Sequence, residues 1–189
     1  MGKYDTDQLG SRMKSHEKGA DFKLEPRKPV IIRIDGNRFS RLTKPLPKPS
    51  YHFLNLMAQA MYRTADDIEG CVFGYTQSDE VTLVLKNDQS EESQPWFGNR
   101  IQKIASLSAS MMTMHMFREY YSLGADNPLR KQCGDNPRFA FDSRVWTVPD
   151  EMEMFNTLYW RQLDCIKNAI SMVVYYKLIE NPLSKLLTQ

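Results

Sequence analysis

Two short stretches carry carboxylates where a fold can use them. Asp35-Gly36 follows the run Val30-Ile-Ile-Arg-Ile34, and Ser78-Asp79-Glu80 lies between the apolar runs Cys71 to Tyr75 and Val81 to Leu85. β-Branched residues fit a pleated sheet, so 30–34 reads as a buried strand that delivers Asp35 to its end. Glycine at 36 lets the backbone turn or approach a ligand closely. Thr76 to Asp79 reads as a tight turn joining two strands, which puts Asp79 at a hairpin tip. Two acids at one sheet edge suit a pair of divalent cations: hard cations take oxygen ligands, and magnesium keeps one or two carboxylates plus substrate phosphates. Two ions roughly 3.5–4 Å apart clamp the attacking and leaving oxygens of a phosphorus centre. The Gly36 carbonyl is a further ligand candidate. Either acid alone reads as structural, a turn-capping residue; the two together favour the metal site only modestly.

The elements that must position these acids follow from periodicity. Residues 1–29 form a basic, polar segment with a short helix near 7–17, closed by Pro26 and Pro29. The prolines of Lys44-Pro-Leu-Pro-Lys-Pro-Ser50 impose an extended loop. Phe53, Leu56, Met57, Ala60, Met61 and Ile68 recur at helical spacing, with Ser50 as N-cap and Gly70 as stop. Asn87 to Pro95 reads as an acidic linker and Trp96 to Tyr121 as one long helix with a methionine-rich core face. Gly124 to Pro137 reads as loop, Phe139 to Val148 as a fourth strand, and a last helix starts near Pro149-Asp150. The segment Ile170 to Leu178 fits helix or strand, with helix preferred.

The order βαββαβ with helices on one face is the ferredoxin-like arrangement, an α+β antiparallel sheet with helices packed on it. The expected organisation is an N-terminal basic segment 1–29, a catalytic domain 30–148 and a C-terminal helical segment 149–189. The chain's 189 residues are enough for one full core. No apolar run approaches the ~18 residues of a membrane span, and the N-terminus lacks a secretory-type segment. Cys71, Cys133 and Cys165 share no metal-type spacing and read as reduced packing residues, so a cytoplasmic location is expected. Net charge is only +2, but residues 1–50 hold twelve Lys/Arg against six Asp/Glu, whereas 64–92 hold eight acids and one base. That contrast suits phosphate binding beside metal binding. An ordinary mixed surface explains it equally well.

Three motifs in order, Arg33-Ile-Asp-Gly-Asn-Arg-Phe39, Gln77-Ser-Asp-Glu80 and Trp160-Arg-Gln-Leu-Asp-Cys165, resemble the tRNA(His) guanylyltransferase superfamily. The likeness runs from about Leu9 to near the end of the chain. It implies a polymerase-palm-like fold and a two-metal nucleotidyltransferase that extends RNA 5′ ends in the 3′-to-5′ direction. By position, Asp35 and Asp79 resemble the metal-binding carboxylates, Gly36 the carbonyl ligand and Glu80 a supporting acid. Asp35, Gly36, Asn37, Arg38, Phe39, Ser40, Ser78 and Asp79 match nucleotide-contacting segments. Lys48, Arg100 and Lys103 resemble triphosphate contacts; the last two, three apart on the Trp96 helix, would share a face, and a solvated helix face is their plain alternative.

The resemblance further implies two Mg²⁺ ions, GTP and ATP as substrates, tRNA or another RNA with a 5′ phosphate as partner, and a homo-oligomer, dimer or tetramer. Ile166-Lys-Asn-Ala169 stands where eukaryotic members carry His-Ile-Asn-Asn. That departure is similar to the Thg1-like proteins, which favour template-dependent repair of tRNA 5′ ends over guanylate addition to tRNA(His). The family also has a longer C-terminal region, so 149–189 is expected to be a shortened segment. Competing expectations are ordinary 5′-to-3′ transfer or nucleotide cyclisation on the same palm, and a catalytically impaired RNA-binding palm.

Overall fold

A computed structural model describes residues 6–86 and 94–180. Most of the expected acidic linker (87–95) and the chain beyond 180 lie outside the described residues. Contacts divide the chain into two compact units, the first ending at Asp150 and the second beginning at Glu151.

In the first unit, β1 (Val30–Gly36), β2 (Cys71–Gln77), β3 (Glu80–Leu85) and β4 (Phe141–Thr147) form one four-stranded sheet in the order β2-β3-β1-β4. Every pairing is antiparallel, so the α+β ferredoxin-like expectation matches the observed topology. Strand alternation gives the sheet two different faces. Val30, Ile32 and Ile34 of β1 join Val81, Leu83 and Leu85 of β3 in the apolar core. Against that face pack α3 (Tyr51–Asp66), through Phe53, Leu56, Met57 and Ala60, and α4 (Ile101–Ser122), through Ile104, Met112, Met116 and Tyr120. The intervening positions, Arg33 and Asp35 on β1 and Glu80 and Thr82 on β3, fall on the other face. Ser50 caps α3 as expected, its Oγ accepting the Phe53 N–H at 3.4 Å.

Helix α1 (Thr6–Lys18) also matches its expectation. The connector after it is tied to the palm: Leu24 N donates to Asn99 O at 2.9 Å and Ile101 N donates to Phe22 O at 3.0 Å.

The structure corrects the sequence reading in three places. The helix expected over Trp96 to Tyr121 is broken: a 3-10 turn spans Trp96–Asn99 and α4 starts only at Ile101. Phe97, Gly98 and Asn99 all have positive φ, which no α-helix accommodates. The buried Asn99 fixes the kink by donating from Nδ2 to Glu25 O at 3.3 Å. The loop expected over Gly124 to Pro137 contains α5 (Pro128–Cys133); Asn127 caps it by accepting the Leu129 N–H at 2.9 Å, with proline in the first turn. A five-residue helix, α2 (Phe39–Thr43), follows β1 where none was expected.

The second unit contains α6 (Glu151–Glu180), 30 residues long, so Ile170 to Leu178 is helix as preferred. Among the described residues, no helix is long and apolar enough to cross a membrane.

Phe39 anchors the exit from β1. It is 2% exposed, with ring centroids 6.0 Å from Phe53, 6.0 Å from Phe139 and 4.9 Å from Phe141. Removing a ring from such a cluster loses both transfer free energy and packing. Phe39→Ala is therefore expected to lower stability by about 3–5 kcal/mol in urea titrations; a loss under ~1 kcal/mol would show that the cluster does not hold this turn.

Candidate metal and nucleotide site

The antiparallel register of β1 and β3 pairs Asp35 with Glu80. One step further, the chain turns in only two residues, Ser78 and Asp79, with Ser78 at φ +52°. Gly36 N donates to Asp79 O at 3.1 Å, so the hairpin tip is tied to the end of β1. Thr76 Oγ1 donates to Glu80 O at 3.0 Å from within the hairpin. The approach demands glycine: a Cβ on Gly36 would fall 2.5 Å from Phe39 Cδ2 and 2.9 Å from Asp79 Cβ. Thus the sheet brings Asp35, Gly36 and Asp79 to one end.

The carboxylates there have different partners. Glu80 is buried and ion-paired with Arg33, its neighbour on the same sheet face. Its charge is committed, as a supporting acid's would be. Asp79 is half-buried, and burial pushes its carboxyl above the usual carboxylate value. The negative charge of Asp35 adds to that rise, while a hydrogen bond from Ser78 Oγ (3.1 Å to Oδ1) and the charge of Lys48 oppose it. Lys48 itself is partly buried; desolvation lowers its ammonium and the Asp79 charge raises it. The proline loop before α3, held by the buried Leu46 and the Ser50 cap, therefore brings Lys48 within electrostatic reach of Asp79.

The remaining site candidates divide. Asn37 N donates to Ala140 O at 2.8 Å, and Asn37, Arg38 and Ser40 expose their side chains beside Asp35 in sequence. Arg38 takes a left-handed conformation, φ +61°. The Phe39 ring is in the core, which leaves only its backbone for a ligand. Arg100 is not on a helical turn as expected. It is the N-cap residue of α4, forms a β-bridge with Lys23, and donates from Nε to Asp21 Oδ1 at 2.7 Å. Its hydrogen bond is the main force holding the Asp21 carboxyl below its usual value, with the charges of Lys23 and Lys103 adding to it. The Lys103 ammonium lies 5.7 Å over the Phe97 ring. These cations thus form a cluster around Asp21.

Sequence reasoning missed Asp142, which β4 pairs directly opposite Asp35. The alternation Phe139-Ala-Phe-Asp carried the signal, since it turns Asp142 away from the face of Phe141.

The donor set at Asp35, Gly36 and Asp79 is all oxygen and carries two carboxylates against the one lysine charge acting on Asp79, which fits a hard divalent cation. Among the described residues no three His, Cys, Asp or Glu side chains gather into a closed metal cage. Two carboxylates would leave positions for water and phosphate, as magnesium prefers.

An antiparallel four-stranded sheet with an acid pair at one end and helices on the opposite face is thereby defined. Comparison with known proteins adds its lineage: residues 10–149 match the family model described as tRNAHis guanylyltransferase, and the chain belongs to that family. A bacterial tRNA(His) guanylyltransferase (Thg1)-like protein, solved in complex with GTP, is similar at 37% identity and a TM-score of 0.80, over 89% of this chain and 76% of that one. The mouse probable tRNA(His) guanylyltransferase is 31% identical over 80% of this chain and 48% of its own length. An uncharacterised protein of Acanthamoeba polyphaga mimivirus is 28% identical over 89% of this chain and 62% of its own. The chain spans less than two thirds of these two curated relatives.

A half-buried, charge-repelled carboxylate opposes folding when ionised. Because the folded Asp79 carboxyl is raised above 3.8, stability is retained below pH 3.8 and is lost as pH rises through the folded value. Asp79→Asn removes this penalty. In EDTA its Tm should exceed the wild-type Tm at pH 7, and the gap should close below about pH 4. Magnesium should then raise the Tm of the wild type and leave that of the variant unchanged. An equal or lower Tm for Asp79→Asn in EDTA at pH 7 would contradict the assigned electrostatics.

Proposed function

We propose that this chain is a nucleotidyltransferase that adds nucleotides to the 5′ end of tRNA in the 3′-to-5′ direction, in template-dependent repair of that end. The observation that carries the reading is the juxtaposition of Asp79, Asp35 and Lys48 at one end of the sheet. There, the Asp35 charge acts against that of Asp79, and the Lys48 ammonium favours it. Family membership and the likeness to a GTP-bound bacterial relative support nucleoside triphosphates as substrates. Ile166-Lys-Asn-Ala169 supports repair over guanylate addition to tRNA(His).

In this reading Asp35, Asp79 and the Gly36 carbonyl would hold two magnesium ions. When bound, these supply charge neutralisation at phosphorus and a lowered pKa at the attacking hydroxyl. The protein's own residues do the rest. Glu80 and Arg33 neutralise each other beneath the acid pair, so that the carboxylates facing the ligand are Asp35 and Asp79. Lys48, whose charge already bears on Asp79, meets the triphosphate, where a charge-assisted hydrogen bond is strong. Gly36, Asn37, Arg38, the Phe39 backbone and Ser40 form the turn along which the nucleotide lies, with Ser78 at the facing hairpin tip. Arg100 and Lys103 carry further phosphate contacts. The 5′-monophosphate is activated by ATP or GTP, or arrives as a triphosphate. The 3′-hydroxyl oxygen of the incoming nucleotide then bonds to that 5′-phosphorus, and pyrophosphate or a nucleotide leaves.

The test combines purified protein, magnesium, labelled GTP and a tRNA lacking its first 5′ nucleotide. Label should appear at the 5′ end. Asp35→Asn and Asp79→Asn should each lower turnover by about 10³-fold or more while remaining folded. Lys48→Met should raise the triphosphate KM by about 10–100-fold, the worth of one charged hydrogen bond. Label at the 3′ end, or sustained turnover by Asp79→Asn, would overturn the proposal.

A further inference from the structure

Helix α3 and strand β2 leave a small cavity at the edge of the sheet. It holds about 230 Å³ and is lined by Tyr62 and Asp66 of α3 and by Cys71, Val72, Phe73 and Gly74 of β2. That is below the ~300 Å³ at which pockets begin to enclose a whole drug-sized ligand, and it suits one long side chain. Tyr62 and Asp66 are four residues apart, hence neighbours on one helix face. Tyr62, Val72 and Phe73 are 63%, 46% and 49% exposed, so the rim is apolar and open to water. Burial raises the Cys71 thiol and keeps it neutral. The one charge of the lining is the Asp66 carboxylate.

The surroundings favour a cation. Helix α3 ends here, and the carbonyls of a helix C-terminus carry partial negative charge. Arg63, the base of its last turn, is paired with Glu119, and Asp67 with His115. The exposed Asp66 and Glu69 make no ion pair among the described residues. Aromatic side chains beside an unanswered carboxylate suit an ammonium or guanidinium group.

Strand β2 also borders the sheet, and the sheet's two edges differ. β4, the other edge, carries exposed Asp142 and Arg144, charges of the kind that keep an edge from pairing. β2, Cys71-Val-Phe-Gly-Tyr-Thr-Gln77, has no charge and no proline. Its register shifts between Cys71 and Phe73, after which Phe73 to Gln77 pair regularly with β3. Their outer side meets no strand among the described residues. An open edge beside a side-chain pocket is what strand addition uses: main-chain hydrogen bonds supply affinity and the pocket selects a side chain. A second copy of β2 brings no base to this pocket, so the charge of Asp66 calls for a different, basic strand. The cavity lies at the Cys71 end of β2 and Gln77 pairs with Glu80 at the other, so roughly 20 Å of strand separates it from the acid pair.

We propose that β2 is a docking edge for an extended, basic segment of another protein, which adds as a fifth strand and places one lysine or arginine in the Tyr62–Phe73 cavity against Asp66. The inference does not rest on the nucleotidyl transfer reading. The probe is a capped five-residue peptide alternating valine and arginine, titrated into the full chain by calorimetry. Saturable binding below ~1 mM is expected. Citrulline in place of arginine removes the charge, and N-methylation of alternate amides blocks strand pairing; each should weaken binding at least about tenfold. Asp66→Asn should cost about tenfold and Tyr62→Ala about 2–5-fold, both at exposed positions where folding is spared. Asp79→Asn should leave the peptide's affinity unchanged, which separates this edge from the acid pair. With peptide bound, the amides of Phe73 to Gln77 should exchange hydrogen at least about tenfold more slowly. No saturable binding at ~1 mM, equal affinity for the citrulline peptide, cadaverine binding as tightly as the peptide, or β2 edges of two copies pairing to exclude it would overturn the proposal.

Discussion

The site depends on one close approach: the hairpin tip at Asp79 against the end of β1 at Gly36. The hydrogen bond from Gly36 N to Asp79 O fixes the distance, and the missing side chain at 36 permits it. Phe39 closes the same space from the core, so the turn is squeezed between an aromatic cluster and a carboxylate. The consequence is electrostatic. Register alone pairs Asp35 with Glu80; it is the added turn that brings a further acid, Asp79, within reach of the Asp35 charge. Arg33 answers Glu80, whereas Asp79 has the Ser78 hydroxyl, a backbone N–H and the charge of Lys48 in its favour, and burial still outweighs them.

Such an arrangement trades stability for binding. Two carboxylates near each other in a half-buried turn disfavour the folded chain, and selection for stability alone would remove one of them. The aromatic cluster around Phe39 supplies packing that tolerates the cost, which is why the most tightly held residue of the turn lies directly behind its least comfortable charges. The same logic separates Glu80 from Asp79. They are adjacent in sequence, yet one is satisfied by an internal arginine and the other faces a place where a ligand's charge would satisfy it.

Much of this was legible in the sequence because it is local. A run of β-branched residues ending in Asp-Gly, and Ser-Asp-Glu between two apolar runs, state both the strands and the positions of their acids. Ser50 as a cap and the helical spacing of Phe53 to Ala60 are local as well. What the sequence concealed depends on partners far along the chain. The break at Phe97 to Asn99 is held by Leu24 and Glu25, some 75 residues earlier. Helix α2 exists because Phe39 finds Phe139 and Phe141. The alternation around Asp142 states which face it takes, but its place opposite Asp35 depends on the register of β4 with β1. Asn127-Pro128 is a readable helix start, masked by the glycines and prolines around it.

The cations expected to meet phosphate share a further property that spacing could not reveal. Lys48 faces Asp79, and Arg100 is bonded to Asp21 with Lys23 and Lys103 nearby. In the free chain each basic group is thus answered by a carboxylate of the protein. An unsatisfied cluster of lysine and arginine would repel itself and attract any polyanion; one with internal counter-charges resists both. In the proposed reading a triphosphate would displace a carboxylate at these groups, its oxygens offering more acceptors at higher charge than one side chain. For Asp79, in the proposed reading, divalent cations bound beside the phosphates would neutralise the acid as Lys48 turns to the triphosphate. The two halves of the exchange favour each other. Neither a triphosphate without metal nor metal without triphosphate would satisfy all of the charges gathered at this end of the sheet.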